Sequence, residues 1–316
     1  MRPYRWGQII SLILLNLYIF GFFQKELIYT GPLKAFLAPI LHCWSAPTAL
    51  FSCPLGAFQH FITIHLLPLY PLGFLILISA FIGRMPCGWV CPFGFLQDLL
   101  YKIKIWKWRL PDFINIPGII LGIVIGYIFA RGGFELGIYT GLPLAIFFGL
   151  TFNLIPKIKK VRMPMNYLKY LFLLIFAILF AYFRAEPWFC KICPAGTLEA
   201  GIPLVLWDPE NYLKSMVGFF FYFKIFILGF LLINFIAIKR PFCRAVCPIG
   251  AIYSLTNRLS LFHLGNEKEI CTGCGVCEKV CPTAIPWSKI PENTECIRCL
   301  ECYLRCPKRA IKVKWG

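Results

Sequence analysis

Sixteen cysteines in a chain of 316 residues are the side chains with the most chemistry to offer, and they fall into four sets of four. Two sets lie late in the sequence: Cys271, Cys274, Cys277 and Cys281, then Cys296, Cys299, Cys302 and Cys306. Each is spaced C-x2-C-x2-C-x3-C and followed by Pro282 or Pro307. The other eight come in pairs: Cys43 with Cys53, Cys87 with Cys91, Cys190 with Cys193, and Cys243 with Cys247. Thiolates hold iron-sulfur clusters and zinc, and thiols pair into disulfides, so spacing and compartment must choose among the three.

For the late sets the spacing chooses. Three sulfurs two residues apart can wrap one face of a cubane, while the fourth, before proline, reaches a neighbouring cluster, which is the bacterial two-cluster ferredoxin pattern. It predicts one cluster on Cys271, Cys274, Cys277 and Cys306 and another on Cys281, Cys296, Cys299 and Cys302. Zinc is the rival for such thiolate sets, but tandem copies ending in Cys-Pro favour clusters.

The remaining cysteines sit in a chain that is 59% hydrophobic and 15% charged, which excludes an ordinary soluble domain and predicts an integral membrane protein. Apolar stretches run from Gly7 to Phe23, Phe61 to Ile82, Ile114 to Ala130, Leu136 to Ile155, Tyr167 to Phe183 and Met216 to Ile238, giving six expected transmembrane helices. The first follows Arg2 and Arg5 without a small-residue cleavage site and is expected to stay as an anchor. Fifteen Lys and Arg residues, among them Arg84, Lys102, Lys160 and Arg240, fall in segments on one side, against Lys25, Lys34, Arg131, Arg184, Lys191 and Lys214 on the other. This asymmetry predicts a multi-pass protein of the cytoplasmic membrane with both termini inside, and a stretch from Phe93 to Arg109 lying on the inner surface. The net charge of +18 then meets anionic lipid, and no nucleic acid is called for.

The sequence repeats itself. Cys53-Pro-Leu-Gly precedes the second stretch as Cys193-Pro-Ala-Gly precedes the sixth, and Cys87-Gly-Trp-Val-Cys91-Pro-Phe-Gly follows the second as Cys243-Arg-Ala-Val-Cys247-Pro-Ile-Gly follows the sixth. Two parallel pseudo-repeats, about 1–110 and 165–262, are expected, with an inserted helical hairpin at 113–156. A continuous helix of about 22 residues is roughly 33 Å long, too far for one cluster to bridge, so the halves must pool their pairs. Cys87, Cys91, Cys243 and Cys247 would hold an inner membrane cluster, and Cys43, Cys53, Cys190 and Cys193 an outer one. Disulfides compete for the outer set, since that side is oxidising. In each Cys-Pro-x-Gly the proline bends the chain away, and the glycine lets backbone N–H groups approach sulfur.

At Cys87-Gly-Trp-Val-Cys91-Pro and Cys243-Arg-Ala-Val-Cys247-Pro, followed by the double run, the chain resembles the NapH-type membrane-bound polyferredoxins, which are related to the NosR family. The resemblance implies quinol oxidation, or electron delivery across the cytoplasmic membrane to or from a partner oxidoreductase. His42, His60 and His65 fall near the outer face, where a histidine could take a quinol proton, although each is more simply a hydrogen-bonded interfacial side chain. Lys224 is a charge inside the sixth stretch, functional by default or snorkelling outward. His263 and Asp98 are expected to pack rather than act.

The expected fold is thus an all-α membrane domain, 1–262, with a cytoplasmic double 4Fe-4S ferredoxin domain, 263–316. Its expected role is one-electron transfer between a cytoplasmic redox protein and the quinone pool or an outer-side oxidoreductase. It would use two 4Fe-4S clusters in the tail, one or two further iron-sulfur clusters in the membrane domain and, on one reading, quinone. The other reading is an accessory reductase or assembly factor serving an outer-side disulfide or metal centre. No catalytic side chain is expected: the chain reads as an electron-transfer subunit of a quinol dehydrogenase-like oxidoreductase, in which the metal does the chemistry.

Overall fold

The protein is described by a computed structural model covering residues 3–19, 27–105, 107, 113–115, 162–208, 212–286 and 293–315. The chain divides into two compact units, Met1–Trp108 with Tyr170–Gly316, and Arg109–Lys169. In the smaller unit, strands β1 (Phe113–Asn115) and β2 (Arg162–Pro164) pair antiparallel with Phe113 opposite Pro164. Ile114 and Asn115 therefore lie in a strand, where the sequence predicts the start of a helix. The remainder of the stretches Ile114 to Ala130 and Leu136 to Ile155, and so the inserted hairpin, lies outside the described residues.

The larger unit is mostly helical. Its first half contains α1 (Pro3–Leu15), α2 (Pro54–Thr63), α3 (Leu69–Ile82), α4 (Met85–Trp89) and α5 (Pro92–Leu100). Its second half contains α6 (Met165–Arg184, in this unit from Tyr170), α7 (Trp188–Ile192), α8 (residues 194–206), α9 (Phe219–Ala237), α10 (Pro241–Ala245) and α11 (Pro248–Thr256). Among the described residues, α6 and α9 are long and apolar enough to cross a bilayer. At 1.5 Å per residue the 19 residues of α9 reach about 28 Å, close to the thickness of a hydrocarbon core. Only 11% of its most apolar window is buried, whereas the core helix of a soluble protein would be covered. Phe219, Tyr222, Phe226, Phe230 and Ile233 point outward there, as Ile10 and Ile13 do on α1 and Leu77 and Phe81 on α3. Apolar surface of that extent calls for an apolar solvent.

The expected single helix from Phe61 to Ile82 is broken. Helix α2 stops at Thr63, His65 takes a left-handed conformation with φ 57°, and Pro68 precedes α3, which packs back on α2. Proline donates no amide hydrogen and disfavours helix before it, so the break falls at Ile64–Pro68 although hydropathy there stays high. The straight rod assumed between the outer and inner cysteines of the first half does not exist. The second half repeats the device, with α8 after Cys193 and then α9. Helix α6 contains a π-helical run, Leu173–Leu179, and the carbonyl of Phe176 within it accepts a hydrogen bond from Gln59 Nε2 on α2 at 3.0 Å.

The tail closes with strands β3 (Phe262–Asn266) and β4 (Ile311–Trp315), antiparallel with Phe262 opposite Trp315. Between them run two short helices, α12 (Val276–Val280) and α13 (Glu301–Arg305). Each starts after a residue at positive φ, Gly275 at 71° and Leu300 at 63°, and the two helices pack together. That is the folded form of the sequence repeat.

Candidate functional site

The two ferredoxin-type sets each line one small cavity. Cys271, Cys274, Cys277 and Cys306 surround the first, together with Pro307 and the backbone of Gly273 and Gly275. Cys281, Cys296, Cys299 and Cys302 surround the second. In both, the fourth sulfur of one run crosses to the other run's group. The first cavity is at the surface, with Cys274 exposed, while Cys281, Cys299 and Cys302 of the second are buried.

The second cavity leans against the membrane part of the fold. Cys299 and Ile297 share one buried apolar cluster with Tyr4 of α1, and Cys87 and Trp89 of α4 pack on it. Trp89 Nε1 donates to the Arg298 carbonyl at 3.0 Å, and a Cβ on Gly88 would come within 2.6 Å of the Ile297 carbonyl oxygen. Glycine is required at that approach. Asn257 caps the same seam, its amide donating to the Thr294 and Cys296 carbonyls at 3.0 Å each.

Cys87 and Cys243, within α4 and α10, come together with Cys91 and Cys247, the N-caps of α5 and α11, each within electrostatic reach of the others. Cys91 and Cys247 are N-caps followed by proline, and each sulfur accepts the amide of the glycine three residues on, Gly94 or Gly250, at 3.4 Å. Proline supplies the helical φ at a position that needs no donor. The glycine has a second reason beyond sulfur: a Cβ on Gly94 would lie 3.2 Å from the Cys87 carbonyl oxygen, and one on Gly250 3.3 Å from that of Cys243. Gln97 Nε2 donates to Cys243 Sγ at 3.1 Å. Burial pushes the Cys91, Cys243 and Cys247 thiols up, and the neighbouring sulfurs push Cys91 and Cys247 further. Crowded, desolvated thiols of this kind would be deprotonated by metal binding, which releases their protons, rather than by simple ionisation in water.

Two fully buried arginines flank this quartet, and neither was singled out in the sequence. Arg84 and Arg240 each stand three residues before the first cysteine of their inner pair, a repeat signal that a count of surface charges passes over. They are therefore not headgroup charges, and they leave the tally of free cations on the inner side. Arg240 forks onto Asp98 of α5 at 2.8 and 2.6 Å and donates to the Cys87 carbonyl at 3.1 Å. Arg84 pairs with Glu295 at 2.7 Å. Burial opposes the charge on both arginines, and the paired carboxylates together with the neighbouring cysteines more than offset it, so both remain protonated. Asp98, expected only to pack, is the carboxylate of one pair.

Cys43, Cys53, Cys190 and Cys193 line a single larger cavity of about 540 Å³, with His42, His60, Thr63 and Phe189 among its other walls. Cys53 and Cys193 are again N-caps before proline, and Cys193 Sγ accepts the Gly196 amide at 3.5 Å. Cys190 keeps solvent-exposed surface, and its sulfur sits 3.2 Å from Gln59 Oε1. Burial, reinforced by Glu199, pushes the Cys43 thiol up to about 12. Glu199 accepts the Cys43 amide at 2.7 Å and lies 3.2 Å from Nδ1 of buried His42. Lys224 on α9 is within reach of Cys193, Cys43 and Cys190, and Lys34 within reach of Cys43. His65 stands apart against the Tyr182 ring, and His263 lies in β3. None of the sixteen cysteines is joined in a disulfide. Among the described residues no three His, Cys, Asp or Glu side chains converge on a single ion. Sulfurs that do not close on one ion, with backbone amides aimed at Cys91, Cys193, Cys247 and Cys306, fit iron-sulfur clusters better than zinc.

Tyr253 of α11 runs from the inner quartet to the segment that precedes Cys43. It is fully buried, lies within reach of Cys87, Cys91 and Cys247, and donates its hydroxyl to the Pro39 carbonyl in the segment leading to Cys43 at 2.9 Å.

Residues 64–111, 169–202 and 219–267 match a family described as a 4Fe-4S binding domain, and residues 267–287 match a second with the same description. An uncharacterized protein of Methanocaldococcus jannaschii is 27% identical over 77% of this chain and 76% of its own length. A putative electron transport protein of Escherichia coli, YccM, is 38% identical over 24% of this chain and 22% of its own. The regulatory protein NosR of Stutzerimonas stutzeri is 25% identical over 72% of this chain, which spans 25% of that larger protein. No solved structure matches the chain.

Proposed function

We propose that this NapH- and NosR-related, polyferredoxin-like chain carries single electrons across the cytoplasmic membrane, between a cytoplasmic redox protein at its ferredoxin tail and the quinone pool or an outer-side oxidoreductase. The observation that carries the reading is continuity. The exposed cysteine set at Cys274 adjoins the buried set at Cys299, which shares an apolar cluster with Cys87, and Tyr253 leads from that quartet to the loop of Cys43. Iron-sulfur clusters would supply the one-electron chemistry at each set, and the protein's part is to fix the distances and tune the potentials. Tunnelling falls steeply with distance, so packed, gap-free contact between successive sets is the property such a path needs.

The chain's own residues divide the work. Cys271, Cys274, Cys277 and Cys306 would hold the first site, Cys281, Cys296, Cys299 and Cys302 the second, Cys87, Cys91, Cys243 and Cys247 the third, and Cys43, Cys53, Cys190 and Cys193 the fourth. Backbone amides of Gly94, Gly196 and Gly250 stabilise negative charge on sulfur. Lipid covers the outward faces of α1, α3, α6 and α9, and both termini lie in the cytoplasm. The second reading, electron delivery to an outer disulfide or metal centre by an accessory reductase, draws on the outer cavity, which is far roomier than those of the tail.

Anaerobic purification with iron and sulfide counting and EPR tests the path. Four sets of cluster signals are expected. Iron sufficient for the tail alone would end the proposal, and loss of the outer set alone would leave the accessory-reductase reading.

A further inference from the structure

Arg84 and Arg240 are the feature of the fold that the path above does not use. Both are almost inaccessible to solvent, at 0% and 1% exposure, and both lie at the same place in their repeats, in Arg84-Met-Pro-Cys87 and Arg240-Pro-Phe-Cys243. A buried guanidinium is expensive unless it is paired, and these two are paired unequally. Each side chain crosses to the opposite half. A Cβ on Gly94 would lie 3.5 Å from an Arg240 guanidinium nitrogen, and one on Gly250 3.2 Å from an Arg84 nitrogen. The glycines of the two Cys-Pro-x-Gly motifs are thus the seats on which the arginines rest.

The counter-ions break the symmetry. Arg240 takes its carboxylate from Asp98, seven residues beyond Cys91. The equivalent position, seven beyond Cys247, is Ser254, which hydrogen-bonds Tyr170 instead. Arg84 receives its carboxylate from Glu295 of the ferredoxin tail, immediately before Cys296, and also donates to the Thr294 carbonyl at 3.3 Å. The acid that the second repeat lacks is supplied by the neighbouring domain.

We propose that Arg84 and Arg240 are a cross-braced pair of positioning residues that set the charge around the inner quartet, and so its reduction potential, and that Glu295 makes this setting depend on the ferredoxin tail being seated. The inference rests on the reading of Cys87, Cys91, Cys243 and Cys247 as cluster ligands. Reduction adds negative charge at the quartet, which a nearby guanidinium stabilises and a nearby carboxylate opposes. Within a buried, low-dielectric seam those terms are weakly screened.

The experiment is a redox titration of the full-length protein, purified anaerobically, following the EPR signal that Cys91→Ser abolishes. Arg84→Gln and Arg240→Gln should lower that potential. Glu295→Gln and Asp98→Asn should raise it, since each leaves an arginine unneutralised. Arg84→Lys and Arg240→Lys should stay near the parent. Each shift is expected to change the reduced-to-oxidised ratio at fixed ambient potential about tenfold, or about 59 mV for a one-electron couple. Opposite signs for base and acid variants are something a purely structural role would not produce. Should Arg84→Gln fail to accumulate with its iron, the two acid variants decide by the upward shift alone. A parent signal that none of the charge variants moves, at full iron content, overturns the inference and leaves the electron path standing. A parent protein with no signal sensitive to Cys91→Ser overturns the cluster reading itself, and this inference with it.

Discussion

The inner and outer quartets are built from the same motif and finished differently. Inside, Cys91, Cys243 and Cys247 are buried, the glycines are pinned against carbonyl oxygens and guanidinium groups, and each half braces the other. Outside, the four sulfurs line a cavity of about 540 Å³, and a Cβ on Gly196 would meet Cys43 Sγ at an ordinary 3.5 Å. The inner set carries paired arginines; the outer set has lysines in reach, Lys34 and Lys224, with Glu199 and His42 beside Cys43. A sealed site with compensated charge suits a relay. A roomy site with unsealed walls suits the end of a path, where another molecule must approach.

The largest expected effect is loss of one site by either half. Cys91→Ser and Cys247→Ser should each abolish the same EPR signal while sparing those of the tail. Two distinct losses would mean that the halves do not pool. Nearly as large, and the sharper test of the comparison, is the outer set: Cys53→Ser and Cys193→Ser should remove equal amounts of iron, and all four outer thiols should alkylate after anaerobic denaturation without reductant. A disulfide at Cys43 and Cys53, found by mass spectrometry, would make the two quartets different in kind.

Packing provides a middle-sized test. Gly250→Ala places a methyl group 3.2 Å from Arg84 and 3.3 Å from the Cys243 carbonyl, and should cost about 1–3 kcal/mol, read as lower thermal stability and loss of inner iron. Gly196→Ala, at its looser position, should be tolerated with its iron retained. Equal sensitivity of the two glycines would erase the distinction drawn here. The smallest effect belongs to the rim: Glu186→Gln breaks the partly exposed pair with Lys191 and should change stability by less than about 1 kcal/mol, with the outer signal unmoved.

The ferredoxin pattern is legible because its spacing is dictated by the size of a cubane, and the pairing of the halves is legible because Cys-Pro-x-Gly occurs four times. The fold brings each of those groups of four together. The break at Ile64–Pro68 is harder to read, since Leu66 and Leu67 keep the hydropathy high; Pro68 is the clue, and a window average hides it. Arg84 and Arg240 look like inner-side surface charges because topology arguments count sign and not burial. Their matching distance from Cys87 and Cys243 is the clue there. Glu295 has no local signal at all, as its role arises only when the tail meets α4.

The seam of Tyr4, Cys87, Trp89, Ile297 and Cys299 bears on how such a protein is made. With Trp89 bonded to the Arg298 backbone and Gly88 pressed against Ile297, the set holding Cys299 is closed on its inner side by the rest of the chain. Whatever loads that site during biogenesis has to act before the seam shuts. With clusters bound as proposed, the buried site of the tail would have to be filled first, while the exposed site, with Cys274 at the surface, would stay open to repair.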